Sequence, residues 1–370
     1  MLPAPSPARV SLADVARSCL ESTSGAANRL DLPAVRSAIV LLVDGLGADN
    51  LRARDGHART LAGELGKATT IETGVPTTTA SAIASLTTGV LPGQHGLVGY
   101  TVLDPAHDRI VNQLSGWDDR LDPATWQLQP TLFETAELAA YAVGPERYRD
   151  SGFSKAVLRG AEYRAASTIL DRLELAVRLA GEAPAIVYVY VPELDQACHA
   201  YGWQSPQWTR VLEQLDGAVR DVLPTLPASV GLVITADHGV LDVPHHSHVL
   251  FDAEPELVAG VRFVAGEPRM LHLHVEPGVD AAALAETWRS SEGDRAWVAT
   301  RAEAVAAGWF GPVLPVVAPR IGDVLVAARK AVAYYDSRDT TGSGRSMIGQ
   351  HGSWSPAETR VPLLRFGAFS

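Results

Sequence analysis

The chain has 370 residues, of which 46% are hydrophobic and 20% are charged, so it can bury a sizeable core and intrinsic disorder is excluded. This length exceeds that of an ordinary domain and favours either one large α/β core with an insertion or two domains. The formal net charge of −11 and the lack of a run of Lys and Arg argue against a nucleic-acid polymer as partner. A small anionic substrate held by metal ions remains compatible with this charge.

Residues 1–30 predict a proline-rich lead-in followed by a short helix. Ser11 is the predicted N-cap, and Asp14 occupies the third helical position. The segment has no basic start followed by an apolar run, and no later stretch approaches the roughly 18 apolar residues that span a bilayer. Because Cys19 and Cys198 are the only cysteines, no disulfide framework is implied. We therefore expect a cytoplasmic protein without a membrane partner, and the oligomeric state stays open.

Three continuous apolar runs predict strands that are covered on both faces. They span residues 37–44, 185–191 and 230–236. Between the last two runs, apolar side chains recur at helical spacing: Trp208, Val211, Leu212, Leu215, Val219 and Val222. Strand, helix and strand in this order form a βαβ unit. The predicted fold is therefore α/β, with a mostly parallel central sheet flanked by helices.

The pattern changes after residue 242. Short strand-like runs at 269–276 and 323–335 surround helix-like stretches near 280–291 and 301–307. They predict an inserted α+β subdomain over 243–345. Because residues 346–370 return to a strand-like run, VPLLRFG, the predicted catalytic core comprises 31–242 and 346–370.

Each predicted core strand leads into acidic or histidine side chains at its carboxyl end, where open α/β sheets bind their ligands. Asp44 ends the first strand, and Asp195 and His199 follow the second at a spacing that places both on one helix face. Asp237 and His238 follow the third strand, and they reach one site only if the chain turns there, as Gly239 would permit. Taken singly, Asp195 and His199 are better explained as solvated groups at a helix start, and Asp237 and His238 are equally well explained as a turn in which the acid caps the next element.

His351 lies in a polar turn before the last strand and completes a set of three carboxylates and three imidazoles: Asp44, Asp195, Asp237, His199, His238 and His351. Mixed nitrogen and oxygen ligands suit Zn²⁺, with Mn²⁺ or Fe as alternatives. Six ligands are too many for one tetrahedral ion. The set therefore predicts two divalent metal ions with open positions, which is the arrangement that two-metal phosphoryl chemistry requires.

Five segments resemble, in order and local spacing, the alkaline phosphatase superfamily, and most closely its nucleotide pyrophosphatase/phosphodiesterase branch. They are LLVDGLG with Asp44, PTTTASAIASLTTGVLPGQHG, ELDQACHAYG, ADHG and HGSWSP. The similarity covers residues 37–241 and 346–367. It implies that one metal is bound by Asp44, Asp237 and His238 together with the nucleophile, and a second by Asp195, His199 and His351.

The resemblance also places the nucleophile at Thr79, ten residues before Gly89 of a Thr-Gly pair. A threonine hydroxyl becomes reactive near neutral pH when a metal coordinates it. The spacing of Ile83, Leu86 and Val90 predicts that Thr79 opens a helix, whose free N–H groups would face a phosphate. We assign Thr77 and Thr78 to turn formation and capping.

Two substrate-binding positions depart from that branch. Tyr100 stands where the branch has a phosphate-holding asparagine, and Ala80 stands beside the nucleophile where the branch has an aromatic residue that stacks on a base. A phenol lacks the hydrogen-bonding geometry of an amide, and alanine does not stack. The preference between diester and monoester, and a nucleotide substrate, are therefore left open.

The resulting expectation is a metal-dependent hydrolase of small phosphoric esters, either a phosphodiesterase or a nucleotide pyrophosphatase, that forms a phosphothreonine intermediate. Phosphomonoesterase, phosphonate hydrolase and phosphomutase activities are alternatives, as is a silent metal- or phosphate-binding protein. A third metal site at His245, His246 and His248 is a further possibility, although an exposed loop lining the cleft is favoured. Cys198 is interpreted as a packed residue rather than a ligand.

Overall fold

The computed structural model describes residues 1–6, 9–66, 68–338 and 343–370. The described helices are α1 (Leu12–Thr23), α2 (Ala48–Ala53), α3 (Arg59–Gly63), α4 (Thr79–Thr88), α5 (Pro92–His95), α6 (Pro123–Trp126), α7 (Leu132–Thr135), α8 (Gly152–Val157), α9 (Ile169–Glu182), α10 (Glu193–Tyr201), α11 (Pro206–Val222), α12 (Ala281–Glu292), α13 (Arg301–Ala306) and α14 (Pro356–Thr359). None of these helices combines the length and the apolar character needed to cross a bilayer.

The strands occur along the whole chain. They are β1 (Ser37–Val43), β2 (Thr70–Glu72), β3 (Thr101–Asp104), β4 (Arg109–Asn112), β5 (Ala139–Gly144), β6 (Glu162–Ala165), β7 (Ala185–Val191), β8 (Val230–Thr235), β9 (Leu241–Asp242), β10 (His248–Leu250), β11 (Val261–Glu267), β12 (Met270–Val275), β13 (Ala296–Thr300), β14 (Val324–Ala328), β15 (Ala333–Tyr335), β16 (Gly349–Gln350) and β17 (Arg360–Gly367). They form two large sheets and two short pairs.

The larger sheet has the strand order β2-β17-β8-β1-β7-β5-β6 and is mostly parallel. Strand β1 lies between β8 and β7, pairs in parallel with both, and is buried along its whole length. Strand β17 pairs antiparallel with β8. Helices pack on this sheet, α9 against β7 and α1 against β1. The predicted α/β fold with a mostly parallel, helix-flanked sheet is confirmed, because its three continuous apolar runs are the adjacent strands at the centre.

Strands β5 and β6 and helix α9 belong to the same sheet domain but were not predicted. The β5 segment, AAYAVG, consists mainly of small residues, so its hydrophobic signal is weak although it pairs in parallel with β7. Helix α9 has a clear local signal, since Thr168 and Asp171 form a capping box at its start. The capping box is therefore the sequence signal from which α9 could have been predicted, although the apolar runs did not indicate it.

The second sheet is antiparallel, with the order β13-β14-β12-β11-β3-β4. Four of its strands lie within the predicted insertion at 243–345, whose boundaries stay a prediction. Strands β3 and β4 come from residues 101–112, and β3 pairs with β11 through Thr101 and Gly266. The second sheet thus includes a hairpin that follows Tyr100 directly. It has its own core, in which the Trp288 ring packs against Phe251 and Tyr334.

A fully buried ion pair joins the second sheet to the segment that carries His351. Arg269 donates from Nε and Nη2 to the two carboxylate oxygens of Glu358, each at 2.7 Å, and neither side chain is exposed. The Ser353 N–H also donates to Glu358, at 2.9 Å. Burial alone would raise the pKa of Glu358, but the Arg269 charge outweighs it and holds the pKa below its ordinary value. The pair therefore fixes the loop after His351 to the turn between β11 and β12.

Replacing Glu358 tests the contribution of this pair. Glu358→Ala leaves the Arg269 guanidinium buried without a counter-charge, so we expect the free energy of unfolding to fall by roughly 3–5 kcal/mol in urea titrations. The matched control is Glu146→Ala, which breaks an exposed pair with Arg149 and is expected to change stability little. Equal urea midpoints for Glu358→Ala and the unaltered chain would contradict this prediction.

Candidate metal centre and active site

The carboxyl ends of three adjacent strands bring the predicted ligands together. Asp44 follows β1, and Asp237 and His238 follow β8. One ligand atom from each of these three residues lies within 4.8 Å of the other two. The turn after β8 depends on Gly239 for close approach rather than for a positive φ, because a Cβ there would lie 2.0 Å from the Ala357 carbonyl oxygen.

Asp195 and His199 extend the same cluster from α10, which follows β7. As their four-residue spacing predicted, they share a helix face, with His199 Nε2 3.1 Å from Asp195 Oδ2. His351 Nε2 lies 3.4 Å from His199 Nε2, and the His351 ring stacks on His238 with centroids 3.6 Å apart. Ligand atoms of Asp195, His238 and His351 also lie within 4.8 Å of one another. The six side chains are thus one contiguous cluster, and their division into two metal sites stays a prediction.

The imidazoles are oriented with Nε2 towards this cluster. His199 Nδ1 lies 2.8 Å from the Gly349 carbonyl oxygen, and His351 Nδ1 lies 2.7 Å from the Thr77 carbonyl oxygen. A ring nitrogen facing a carbonyl oxygen carries a proton, so Nε2 is the ring atom directed at the cluster. This is the ring orientation that a metal ligand bound through Nε2 requires.

The carboxylates fit divalent cations. Asp44, Asp195 and Asp237 are each at most 7% exposed, and one oxygen of each has no hydrogen-bond partner within the described residues. Burial and the neighbouring carboxylates raise the pKa of Asp44 well above its ordinary value, and burial with the Asp195 charge raises the pKa of Asp237 to about 7. The crowding of Asp44 against Asp237 is unfavourable unless a cation occupies the space between them. The donor set and the partnerless oxygens therefore suit metal binding.

Thr79 begins α4 beside the first three ligands. Thr78 occupies the N-cap position, and Thr79 Oγ1 lies 3.3 Å from His238 Nε2. The first helical hydrogen bond runs from the Ala82 N–H to the Thr78 carbonyl at 3.0 Å, so the N–H groups of Thr79 and Ala80 precede the helical ladder. The prediction that Thr79 opens a helix is confirmed.

Thr77 has a different function from the predicted local capping. Its hydroxyl donates to the Ser353 carbonyl and accepts from the Gly352 N–H, both at 2.9 Å. The Thr78 side chain makes no capping hydrogen bond although it lies at the N-cap. Thr77 therefore connects the loop before the nucleophile to the loop that carries His351.

Some predicted residues lie away from the cluster. Ala80 is fully buried in the core and does not line the pocket beside the cluster, whereas Tyr100 lines it and is 36% exposed. His245 and His246 are exposed, as the favoured interpretation of an exposed loop predicts, and the His248 ring packs against Tyr335 at 4.7 Å; none of the three is among the residues that line this pocket. Cys198 is buried as predicted and packs against Gly349.

Sequence reasoning missed two polar side chains at the site. Tyr190 donates its hydroxyl proton to Asp44 Oδ2. The sequence signal for it was the Tyr188 and Tyr190 pair on β7, because residues two apart in a strand lie on the same face. Glu267, at the end of β11, is 6% exposed and accepts from the Tyr100 N–H at 2.9 Å. Its Oε1 has no hydrogen-bond partner among the described residues, and burial raises its pKa to about 8. No sequence pattern marks Glu267.

Glu267 should make stability depend on pH. Its carboxyl pKa rises from 4.5 in the unfolded chain to about 8 in the folded chain, so the folded chain holds this proton more tightly and the free energy of unfolding falls as pH rises between these values. Glu267→Gln removes this titrating carboxyl. Relative to the unaltered chain, its free energy of unfolding should therefore be roughly 1–3 kcal/mol higher at about pH 8.5 than at about pH 5. Urea titrations at both pH values measure this gain. Exposed Glu286→Gln serves as the control, and a pH-independent Glu267→Gln effect would contradict the prediction.

Metal binding should be measurable as stabilisation. Adding Zn²⁺ to chelator-treated protein is expected to raise the melting temperature, with about 2.7 kcal/mol per site at a free concentration 100-fold above the Kd. Asp237→Asn should lose most of this increase in melting temperature, because it removes a proposed ligand. Without metal, the variant should melt no lower than the unaltered chain, because the substitution relieves carboxylate crowding. Asp216→Asn is the matched control, since Asp216 is a buried acid that accepts from the Leu61 N–H away from the cluster. A full zinc increment in Asp237→Asn would count against the site.

A mostly parallel α/β sheet with clustered acids and histidines at its strand ends, and a threonine opening the adjacent helix, defines a protein of the alkaline phosphatase superfamily. The family model described as type I phosphodiesterase / nucleotide pyrophosphatase matches residues 38–354. The chain therefore belongs to this family, whose members hydrolyse phosphoric ester bonds.

Relatives and solved structures agree with this placement. An uncharacterized pyrophosphatase/phosphodiesterase of Schizosaccharomyces pombe is 22% identical over 172 residues, which is 42% of this chain and 34% of that protein, so the chain spans about a third of this curated relative. Phosphonoacetate hydrolase from Sinorhizobium meliloti 1021 is similar in fold, with a TM-score of 0.69 and 18% identity over 90% of this chain and 91% of that chain. Murine ectonucleotide pyrophosphatase/phosphodiesterase 5 has a TM-score of 0.66 and 14% identity over 90% and 88%.

Proposed function

We propose that the protein is a two-metal hydrolase of small phosphoric esters, of phosphodiesterase or nucleotide pyrophosphatase type, with Thr79 as its nucleophile. The observation that carries the proposal is the position of Thr79 Oγ1, 3.3 Å from His238 Nε2 at the start of α4. The three buried carboxylates with partnerless oxygens lie in the same cluster. A hydroxyl next to a metal-binding cluster and a helix N-terminus is suited to attack on phosphorus.

In this proposal Asp44, Asp237 and His238 hold one divalent ion, and Asp195, His199 and His351 hold the other. Zn²⁺ suits these nitrogen and oxygen donors best, with Mn²⁺ or Fe as alternatives. When bound, two such ions lower the pKa of the nucleophile and stabilise charge on the attacking and leaving oxygens. Tyr190 keeps Asp44 oriented through its hydrogen bond to Oδ2.

The chain's own groups then account for the two steps. Thr79 Oγ1 loses its proton and forms a bond to phosphorus while the bond from phosphorus to the ester oxygen breaks, and the departing oxygen takes up a proton. The N–H groups of Thr79 and Ala80, which precede the helical ladder of α4, would donate to a phosphoryl oxygen. A water molecule then attacks the phosphothreonine and regenerates Thr79, so that the net reaction adds water across one phosphoric ester bond.

Two similar structures support a phosphorylated ligand of small size. One is an inactive threonine-to-alanine variant of the murine enzyme in complex with AMP, and the other is the Sinorhizobium hydrolase in complex with phosphonoacetate. We infer a small phosphorylated substrate for this chain and no nucleic-acid polymer. Phosphomonoesterase, phosphonate hydrolase and phosphomutase activities are the alternatives within the superfamily, and the cytoplasmic location stays a prediction.

Turnover of bis(p-nitrophenyl) phosphate by zinc-loaded protein tests the nucleophile. Thr79→Ala should lower kcat at least a hundredfold, because the hydroxyl that bonds to phosphorus is gone, whereas Thr79→Ser should retain measurable turnover. Thr87→Ala is the matched control, since Thr87 lies in the same helix and bonds only to helix carbonyls. An undiminished rate in Thr79→Ala, with normal metal content, would refute the proposed nucleophile.

A further inference from the structure

A cavity of about 330 Å³ opens beside the metal-ligand cluster and extends past Thr79 into the core. Its lining includes the buried apolar side chains of Ile83 from α4, Val143 from β5 and Val157 from α8. Leu114 and Phe153, both partly exposed, add to this apolar lining. Much of the cavity lining outside the metal-ligand cluster is therefore apolar.

Aromatic side chains form one wall of this cavity. Tyr188 and Tyr190 stack with ring centroids 6.5 Å apart, and Tyr148 packs against Tyr190 at 5.8 Å. The rings come from β7 and from the segment before α8, so the sheet and a helix start fix their positions. Such a wall favours contact with a flat or branched apolar group.

Apart from the imidazoles, the charged groups that line the cavity are all carboxyl groups. They are Asp44, Asp195, His199 and His351 of the metal-ligand cluster together with Glu267, and among the residues that the structure describes no Lys or Arg lines the cavity. Arg147 and Arg149 lie over the rings of Tyr148 and Tyr163 but do not reach the lining. A ligand can therefore place negative charge favourably only at the metal cluster, and a second anionic group would meet no cation.

Several polar atoms in the lining already have partners inside the protein. The Tyr163 hydroxyl donates to the Pro145 carbonyl at 2.8 Å, and Ser151 Oγ accepts from the Ser154 N–H at 3.1 Å. The Tyr190 hydroxyl donates to Asp44. Glu267 Oε1, beside Tyr100, has no partner among the residues that the structure describes, but a nucleobase or sugar packed against the three hydroxyls above would leave hydrogen-bonding groups unpaired, at about 1–3 kcal/mol for each group.

We propose that this cavity binds a neutral, apolar ester group of the substrate, such as an aryl or branched alkyl group, in preference to a nucleoside or to a group with a second negative charge. The inference rests on the proposed function, because the metal cluster is what anchors the phosphoryl end. Ile83, Leu114, Phe153 and the tyrosine wall set the preference by excluding water and offering no counter-charge. In this proposal the residues at the strand ends bind the phosphoryl group, and the apolar cavity lining selects the ester group.

Inhibition of bis(p-nitrophenyl) phosphate turnover by four phosphorus compounds tests this preference. Phenylphosphonate carries a neutral apolar group, methylphosphonate controls for the phosphonate itself, phosphonoacetate adds a carboxylate, and AMP adds a nucleoside. We expect the inhibition constant of phenylphosphonate to be at least tenfold below each of the other three. Equal inhibition by all four, or stronger inhibition by AMP or phosphonoacetate, would overturn the inference. Complete lack of turnover in zinc-loaded protein would instead refute the proposed function.

Introducing a positive charge into the cavity lining provides a second, independent test of this inference. Leu114→Arg should weaken inhibition by phenylphosphonate and strengthen inhibition by phosphonoacetate, each at least fivefold, because it supplies the missing cation. Val316→Arg is the matched control, since it adds the same charge at a side chain that is 56% exposed and outside the cavity lining. Identical inhibition profiles for Leu114→Arg and Val316→Arg, with both variants melting as cooperatively as the unaltered chain, would count against the cavity. If Leu114→Arg does not fold, the four inhibition constants measured on the unaltered chain test the proposed preference by themselves.

Discussion

Crowding of like charge at the ends of β1, β7 and β8 is the constraint on which the rest of the molecule depends. Three carboxylates are buried within one cluster, and each leaves an oxygen without a partner among the described residues. The strands that lead into this cluster are buried, so Asp44 and Asp237 are poorly solvated and the repulsion between them is weakly screened. Under the proposed function, bound cations would offset this repulsion, so the sheet geometry that crowds these carboxylates would favour metal binding.

The sequence predicted the parts of this arrangement that follow from strand geometry. Parallel strands end at one edge, so acids and histidines after three apolar runs must converge, as Asp44, Asp195 and Asp237 do. The helical spacing of Asp195 and His199 predicted their contact at 3.1 Å. These inferences need only the local periodicity of the chain.

Contacts between distant segments could not be predicted in this way. Glu267 reaches the site because β11 pairs with β3 next to Tyr100, and that pairing has no signature in either segment. Likewise, Thr77 looked like a capping residue because its local context is a helix start, whereas its partners are Gly352 and Ser353. Ala80 was assigned to the substrate from the resemblance, yet the orientation of α4 turns it into the core. Tertiary geometry, rather than residue type, decided these three positions.

The link between Thr77 and the loop after His351 has a consequence for how the protein matures. Most of the cluster and the nucleophile lie before residue 240, but the imidazole of His351 is positioned by the Thr77 carbonyl and by the segment that the Arg269–Glu358 pair holds in place. β17, which follows that segment, lies between β8 and β2 inside the sheet. During synthesis the site is therefore incomplete until the last part of the described chain has been inserted. Under the proposed function, metal binding by all six ligands would therefore require the complete sheet.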